Sequence, residues 1–416
     1  MKDEEAKILW LVSYFCIPPD SGAKLRVYSL LRLLSSRYSI FLFGFYLLDK
    51  EPFPSSESLE LCNSFAKETD IFENGFSGRA GKIGKVICAL CYRLPLQVLN
   101  FRKKSVFKAM DRLSERGIEL VQAEEISLAA YLFYLPDVVR VLVMHDVDSI
   151  VLWRSFLHHP GLIRKLYFFI QAVKMRLYEQ AILPKLDLCI TVSEKDRSLF
   201  QKISRGKVRI EVVPNGVDSH SLKYLPKSGG KTILFVGNLF YHPNRFGIEW
   251  FLREIFPKIL DNDSEAICSI VGKGADKALS HYRDKRSIKI FGYVEDLQPF
   301  YEEARLSVVP LKVGGGTRLK ILESMAFGRP VVSTSIGAEG LDIEEGKDLL
   351  IADSPTLFAE RALAVLKDDL LYESLRARAR RRVEESYDWT ISAEKLHGLY
   401  KEVLQKRHSD RKGVIE

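Results

Sequence analysis

Three glycines, a hydroxyl, two cations and a carboxylate stand within ten residues: Gly314, Gly315, Gly316, Thr317, Arg318, Lys320 and Glu323. Consecutive glycines let the backbone bring several amide N–H groups close to one anion. The run 317–327 reads as a helix, closed by Gly328 and Pro330 ahead of an apolar strand at 331–334. A glycine turn that opens a helix between strands describes a phosphate site, because the helix N-terminus favours negative charge. Arg318 and Lys320 supply cations that a diphosphate can use. Glu323 would repel phosphate and suits a sugar diol better, such as the ribose of a nucleotide, whose hydroxyls it can accept.

Such residues need rigid elements to hold them. Residues 8–13 (ILWLVS) predict a buried strand, followed by the loop YFCIPPDSGAK, a helix over 25–35 and a strand over 39–46. Short apolar runs at 119–123, 138–145 and 188–192 continue the series. His145 and Asp146 follow the second of these runs. Pro214 with Asn215–Gly216 marks a tight turn, and a polar linker follows. A second series has strands at 233–237, 267–271, 288–291 and 306–310 and helices at 245–260, 297–304, 357–368 and 369–386. This alternation predicts α/β architecture with mostly parallel sheets. The expected division is a first domain over 1–216 with a basic helical insertion, a linker over 217–231, a second domain over 232–386, and a terminal segment over 387–416. The last holds an amphipathic helix at 392–405 and a frayed charged tail. Two α/β halves imply a cleft between the carboxyl ends of both sheets.

Composition narrows the class. The 416 residues, 47% hydrophobic and 28% charged, suit a folded two-domain protein, and no apolar run is long enough to span a bilayer. The start MKDEEAK carries acid where a secretory signal carries base. Six scattered cysteines predict buried thiols in a reducing cytoplasm, since the pair Cys88 and Cys91 lacks partners for a zinc set. The net charge of +8 is concentrated. Residues 74–110 contain eight Lys or Arg and no acid, and residues 149–178 contain five and no acid among large apolar side chains. That mixture fits an anionic membrane surface or an ordinary solvated basic face. No nucleic-acid signature accompanies it. A nicotinamide-dependent enzyme would need GxGxxG after its first strand, and residues 14–26 lack it.

The segments VVPNGVD (212–218), ILFVGNLFYHPN (233–244), IVGKG (270–274), FGYVEDLQPFYEEARLSVVP (291–310) and GGGTRLKILESMAFGRPVV (314–332) together resemble the retaining nucleotide-sugar glycosyltransferases of family 4. The resemblance implies the GT-B architecture: two Rossmann-like domains facing across a cleft, the second binding the donor and the first the acceptor, with a C-terminal helix crossing back to the first domain. It implies that Glu323 binds donor ribose hydroxyls and that His145 contacts the transferred sugar. Gly22, in PPDSGAKLR (18–26), would approach donor phosphate or acceptor, with Lys24 and Arg26 beside an anionic acceptor. Ser193 is a cleft residue or a helix N-cap.

Two departures from the family pattern stand out. Gly315 occupies the place where many members carry a second glutamate, and the stretch Gly237, Asn238 and HPN (242–244) lacks the family's lysine. Charge neutralisation therefore moves to Arg318 and Lys320, with Arg245 a weaker candidate, and sugar recognition to the loop Gly314, Gly315, Gly316 and Thr317. The implied reaction is transfer of a hexose-type sugar from a nucleotide diphosphate sugar to a hydroxyl acceptor with retained configuration, for cell-surface polysaccharide or glycolipid synthesis. No cofactor and no metal are implied: Asp146 and Asp148 have a DxD spacing, but in the first domain. Partners would be the nucleotide sugar, a hydroxyl acceptor such as a lipid-linked glycan, and an anionic membrane surface on the cytoplasmic side, with no nucleic acid. A non-catalytic sugar- or lipid-binding module is the competing reading. Nucleoside, sugar, acceptor and oligomeric state stay open.

Overall fold

The computed structural model describes residues 5–47, 53–74, 90–159, 161–313 and 318–412. It divides into two compact units, Met1–Pro214 with Ser392–Glu416, and Asn215–Ile391.

The first unit is built on a seven-stranded sheet ordered β3-β2-β1-β4-β5-β6-β7. The strands are β1 Lys7–Val12, β2 Ser39–Leu47, β3 Glu68–Asn74, β4 Leu120–Glu124, β5 Val139–Met144, β6 Leu188–Thr191 and β7 Ile210–Val212. Every neighbouring pair is parallel. Ile8 through Val12 are fully buried, as expected of a central strand covered on both faces. Chain order reverses between β1 and β4, so the loops leaving their carboxyl ends part there and open a crevice.

The terminal helix, Trp389–Lys412, packs on this unit from Ser392 onward. Tyr38 hydroxyl lies 2.7 Å from His397 Nδ1, and Arg209 Nη2 lies 2.7 Å from Glu402 Oε2. Tyr400 donates to the buried Gln122 side chain. The expected end at 405 is corrected to Lys412. Arg407 lies 3.4 Å from Asp137, a contact that favours continuing the helix past the expected fraying point.

The second unit carries a six-stranded parallel sheet ordered β10-β9-β8-β11-β12-β13. Its strands are β8 Thr232–Val236, β9 Ile267–Val271, β10 Ile288–Phe291, β11 Ala304–Val309, β12 Val331–Ser333 and β13 Leu350–Ile351. The reversal falls between β8 and β11. The helix expected at 245–260 runs as His242–Trp250, a wide turn Phe251–Ile255, and Phe256–Asn262. Pro257 explains the wide turn, since it offers no N–H and its ring crowds the preceding turn. Of the four buried thiols described, Cys16 and Cys62 lie in the first unit with Cys189, and Cys268 lies in the second. Cys91 is exposed, which corrects the expectation for that residue; Cys88 lies outside the described residues.

Candidate functional site

The second unit gathers its polar groups where β8 ends. Gly237 follows β8, and its amide donates to Val271 O at 2.9 Å. Gly272, after β9, has φ +149°, and a Cβ there would stand 2.0 Å from the Gly237 carbonyl oxygen, so two backbones meet at a distance only glycine permits. A Cβ on Gly237 would itself lie 2.8 Å from Lys320 Nζ. Lys320 stands in the helix Leu319–Ala326 and donates to Asn244 Oδ1 at 2.9 Å, while Asn244 Nδ2 donates to Asn238 O at 2.9 Å. The Lys320 ammonium also lies 4.8 Å from the centre of the Phe235 ring. Burial of this ammonium, then the charge of Arg318, lowers its pKa to about 7 against the pull of Glu323.

Glu323 lies one turn further along and accepts from Tyr301 hydroxyl at 3.2 Å. Burial pushes its carboxyl up to about 7, against the Tyr301 hydrogen bond and the Lys320 charge. Tyr301 is held in turn by the buried Arg329, whose Nε donates to Tyr301 O at 2.6 Å. Lys320 and Glu323 thus form a desolvated pair poised between charge states near neutrality, an arrangement common at functional sites. Arg318 is the N-cap residue of the same helix. Gly314, Gly315, Gly316 and Thr317 lie outside the described residues.

Asn238 spends its side chain on its own turn, accepting from Phe240 N at 2.9 Å. Arg245 pairs with Glu249 at 2.9 Å and lines a pocket of about 380 Å³ with Leu239, Phe240, His242, Gly274 and Lys277.

In the first unit, His145 follows β5 and its Nε2 lies 2.9 Å from Glu124 Oε2. Glu124, the last residue of β4, is buried and also accepts from Trp10 Nε1 at 2.9 Å and Gln122 Nε2 at 2.8 Å. Burial opposes its ionisation, but hydrogen bonding and charge from His145, with Arg26 and Trp10, outweigh burial and hold its carboxyl below the usual range. The carboxylate fixes the imidazole from one side and leaves the other ring nitrogen for a ligand.

Glu125, the next residue, has φ +83° and ψ 145°, a conformation rare for any residue with a side chain. Ser13 Oγ donates to its Oε2 at 2.9 Å, and burial pushes its carboxyl up. Strain of this kind costs about 1–3 kcal/mol and clusters at functional sites. Asp148 is pushed well above the usual carboxylate range by burial, then by Glu125, Glu179 and Asp146. Among the described residues, no group of three or more His, Cys, Asp or Glu is arranged to hold a metal.

Several sequence expectations change here. Arg26 was assigned to an anionic acceptor, yet it is buried, donates to Pro214 O at 2.9 Å and lies within electrostatic reach of Glu124. Its position on the buried face of the helix Gly22–Leu34 explains the correction. Gly22 begins that helix, and Lys24 pairs with Asp20 at 3.3 Å. Ser193 is the N-cap of the helix Glu194–Ser204, accepting from Asp196 N at 3.1 Å. Sequence reasoning missed Asn244, Tyr301, Glu124 and Glu125. Asn244 and Tyr301 lie inside segments already singled out, but nothing in their spacing pairs them with Lys320 and Glu323. The doubled glutamate at a strand end was the one available signal for Glu124 and Glu125.

Comparison with known proteins places these sites in a family context. Residues 230–368 match the model of the glycosyl transferases group 1. A Klebsiella pneumoniae protein described as an uncharacterized 44.6 kDa protein in the cps region is 25% identical over 396 residues, covering 92% of this chain and 97% of its own. Sucrose-phosphate synthase from Thermosynechococcus elongatus superposes with a TM-score of 0.69 at 16% identity, over 96% of this chain and 100% of that one. Anabaena Alr3699/HepE, solved with UDP and glucose, gives 0.63 at 15% identity, over 95% and 100%. Residues 230–368 are therefore similar to the glycosyl transferases group 1, and the chain as a whole has the GT-B fold of these solved structures.

Proposed function

We propose that this chain is a glycosyltransferase that moves a hexose-type sugar from a nucleotide diphosphate sugar to a hydroxyl acceptor with retention, without a metal. The observation that carries the reading is the cluster of Gly237, Asn244, Lys320, Tyr301 and Glu323, which offers one ammonium for a diphosphate and one carboxylate for a diol. Arg318 and the loop Gly314, Gly315, Gly316 and Thr317 complete the diphosphate cradle in this reading, and Gly22 borders the donor phosphate or the acceptor. The bond between the anomeric carbon and the diphosphate oxygen breaks. The acceptor oxygen bonds to that carbon on the same face, and its proton passes to the departing phosphate. Lys320 and Arg318 stabilise the charge that grows on the leaving oxygen.

Glu124 orients His145 toward a sugar hydroxyl in this scheme, which makes His145 a positioning group for transfer rather than a donor anchor. His145→Ala is expected to lower kcat on the order of tenfold while leaving donor Kd within about twofold. Steady-state kinetics paired with calorimetric donor titration reads both, and an unaltered turnover number removes His145 from the reaction.

The related proteins support the substrate class: HepE was solved with UDP and glucose, and the Klebsiella relative is described from a cps region, which favours polysaccharide or glycolipid synthesis. A panel of nucleotide sugars, followed by mass spectrometry for hydrolysis and transfer, tests the donor reading. NMR of the product's anomeric configuration tests retention, and an inverted product rejects it. Activity that vanishes with chelator and returns with magnesium or manganese rejects the metal-free reading.

A further inference from the structure

Beyond sugar transfer, we infer that the helical pair Asp148–His158 and Leu162–Ile182 is a docking surface for an anionic lipid bilayer. The longer helix has two apolar faces. One turns inward through Ala172, Met175 and Ile182. On the other, Leu162, Leu166, Phe169, Val173 and Leu177 recur at steps of three or four residues, and every one is exposed, Leu162 to 84%. The shorter helix adds Trp153, 43% exposed, whose ring packs 6.0 Å from Phe169, so the two helices present a joined aromatic and aliphatic surface. Neither helix is long and apolar enough to cross a membrane.

Charge selects the occupant. Residues 149–178 contain Arg154, Arg164, Lys165, Lys174 and Arg176 and no Asp or Glu. Lys174 donates to Tyr92 O, which brings the exposed Leu90 and Tyr92 to the same neighbourhood. Arg176 stands 3.8 Å from the buried Glu179, just beyond the acid-free run. A second copy seated symmetrically would set cations against cations with no carboxylate of this segment between them. A bilayer carrying anionic headgroups meets both needs at once, because large apolar side chains enter the interface while Lys and Arg stay at headgroup level. The other acid-free run falls partly on residues 75–89, outside the described residues, and of it only Leu90 and Tyr92 enter the argument.

Flotation of the full-length protein tests this, without nucleotide sugar, so that its outcome is independent of the transfer reaction. The probes are vesicles of phosphatidylcholine alone and of equimolar phosphatidylcholine and phosphatidylglycerol. The protein should float with the mixed vesicles and not with the neutral ones, and added salt should weaken the association. Trp10, Trp250 and Trp389 are buried, so a blue shift of tryptophan emission on vesicles reports Trp153. Leu162→Ser with Leu166→Ser and Leu177→Ser, and separately Arg164→Glu with Lys165→Glu, should each lower the bound fraction at least about tenfold with an unchanged circular dichroism melt. Leu370→Ser, an exposed position in the second unit, should leave it unchanged. Failure to bind mixed vesicles at low salt overturns the proposal, as does full binding by the triple serine variant. A wild-type dimer that the serine changes disperse, with no vesicle binding, assigns the surface to a second copy instead.

Discussion

Lys320→Ala is expected to lower turnover of a productive nucleotide sugar by about 10²- to 10³-fold, the range found when one preorganised donor to a developing anion is removed. The ammonium sits beside the Gly237 backbone, steadied by Asn244 and the Phe235 ring, where little solvent screens it. A donor already carries charge on its diphosphate, and the leaving oxygen gains more as the glycosidic bond breaks. The loss should therefore exceed in kcat whatever appears in donor affinity. Adding Arg318→Ala should deepen the defect by less than its own single effect, since both cations serve one anion. Rapid-quench turnover with saturating donor reads the first claim, and a Lys320→Ala enzyme with wild-type kcat makes this lysine a packing residue.

Glu323→Gln should keep the fold and weaken donor binding by roughly 10- to 150-fold, about 1.5–3 kcal/mol, through loss of a charged acceptor for ribose hydroxyls. Its pH dependence is the sharper test. In the free protein, burial brings the pKa of Glu323 up, and that of Lys320 down, to about 7. Donor binding calls for an ionised Glu323 and a protonated Lys320. Affinity should fall as pH drops below about 7 because Glu323 takes up a proton, and fall again above it because Lys320 loses one. Titration calorimetry from about pH 5 to about pH 9 should give a bell for the wild type. Glu323→Gln should abolish the acid limb and keep the alkaline one. A flat profile for the wild type would show that neither group changes charge in binding.

The main strands were legible because long apolar runs bounded by turn residues have few other folded uses. Three strands were not. Glu68–Asn74 is a polar edge strand, ETDIFEN, half-buried and without the apolar run that marks the centre. Ile210–Val212 and Leu350–Ile351 are too short to carry a period. At the site, Lys320 and Glu323 were readable from their spacing on one helix. Glu124 was not, because its link to His145 crosses 21 residues of chain through the pairing of β4 with β5. Strain at Glu125 leaves no trace in residue type, since glycine is the usual mark of positive φ.

The first unit is discontinuous in the chain: it leaves at Pro214 and resumes at Ser392. Gln122 and Glu124 at its centre depend on this return, for the buried Gln122 amide accepts the Tyr400 hydroxyl and donates to Glu124. During synthesis, the sheet holding His145 therefore emerges long before the helix that satisfies its buried polar groups. At about 5–20 residues per second, roughly 10 to 40 seconds pass between Pro214 and the closing helix, an interval in which the nascent unit has all seven strands but lacks its last helix and stays open to chaperones. An excised fragment ending near Pro214 would carry that defect permanently. A workable isolated first unit has to have the last helix spliced back behind it.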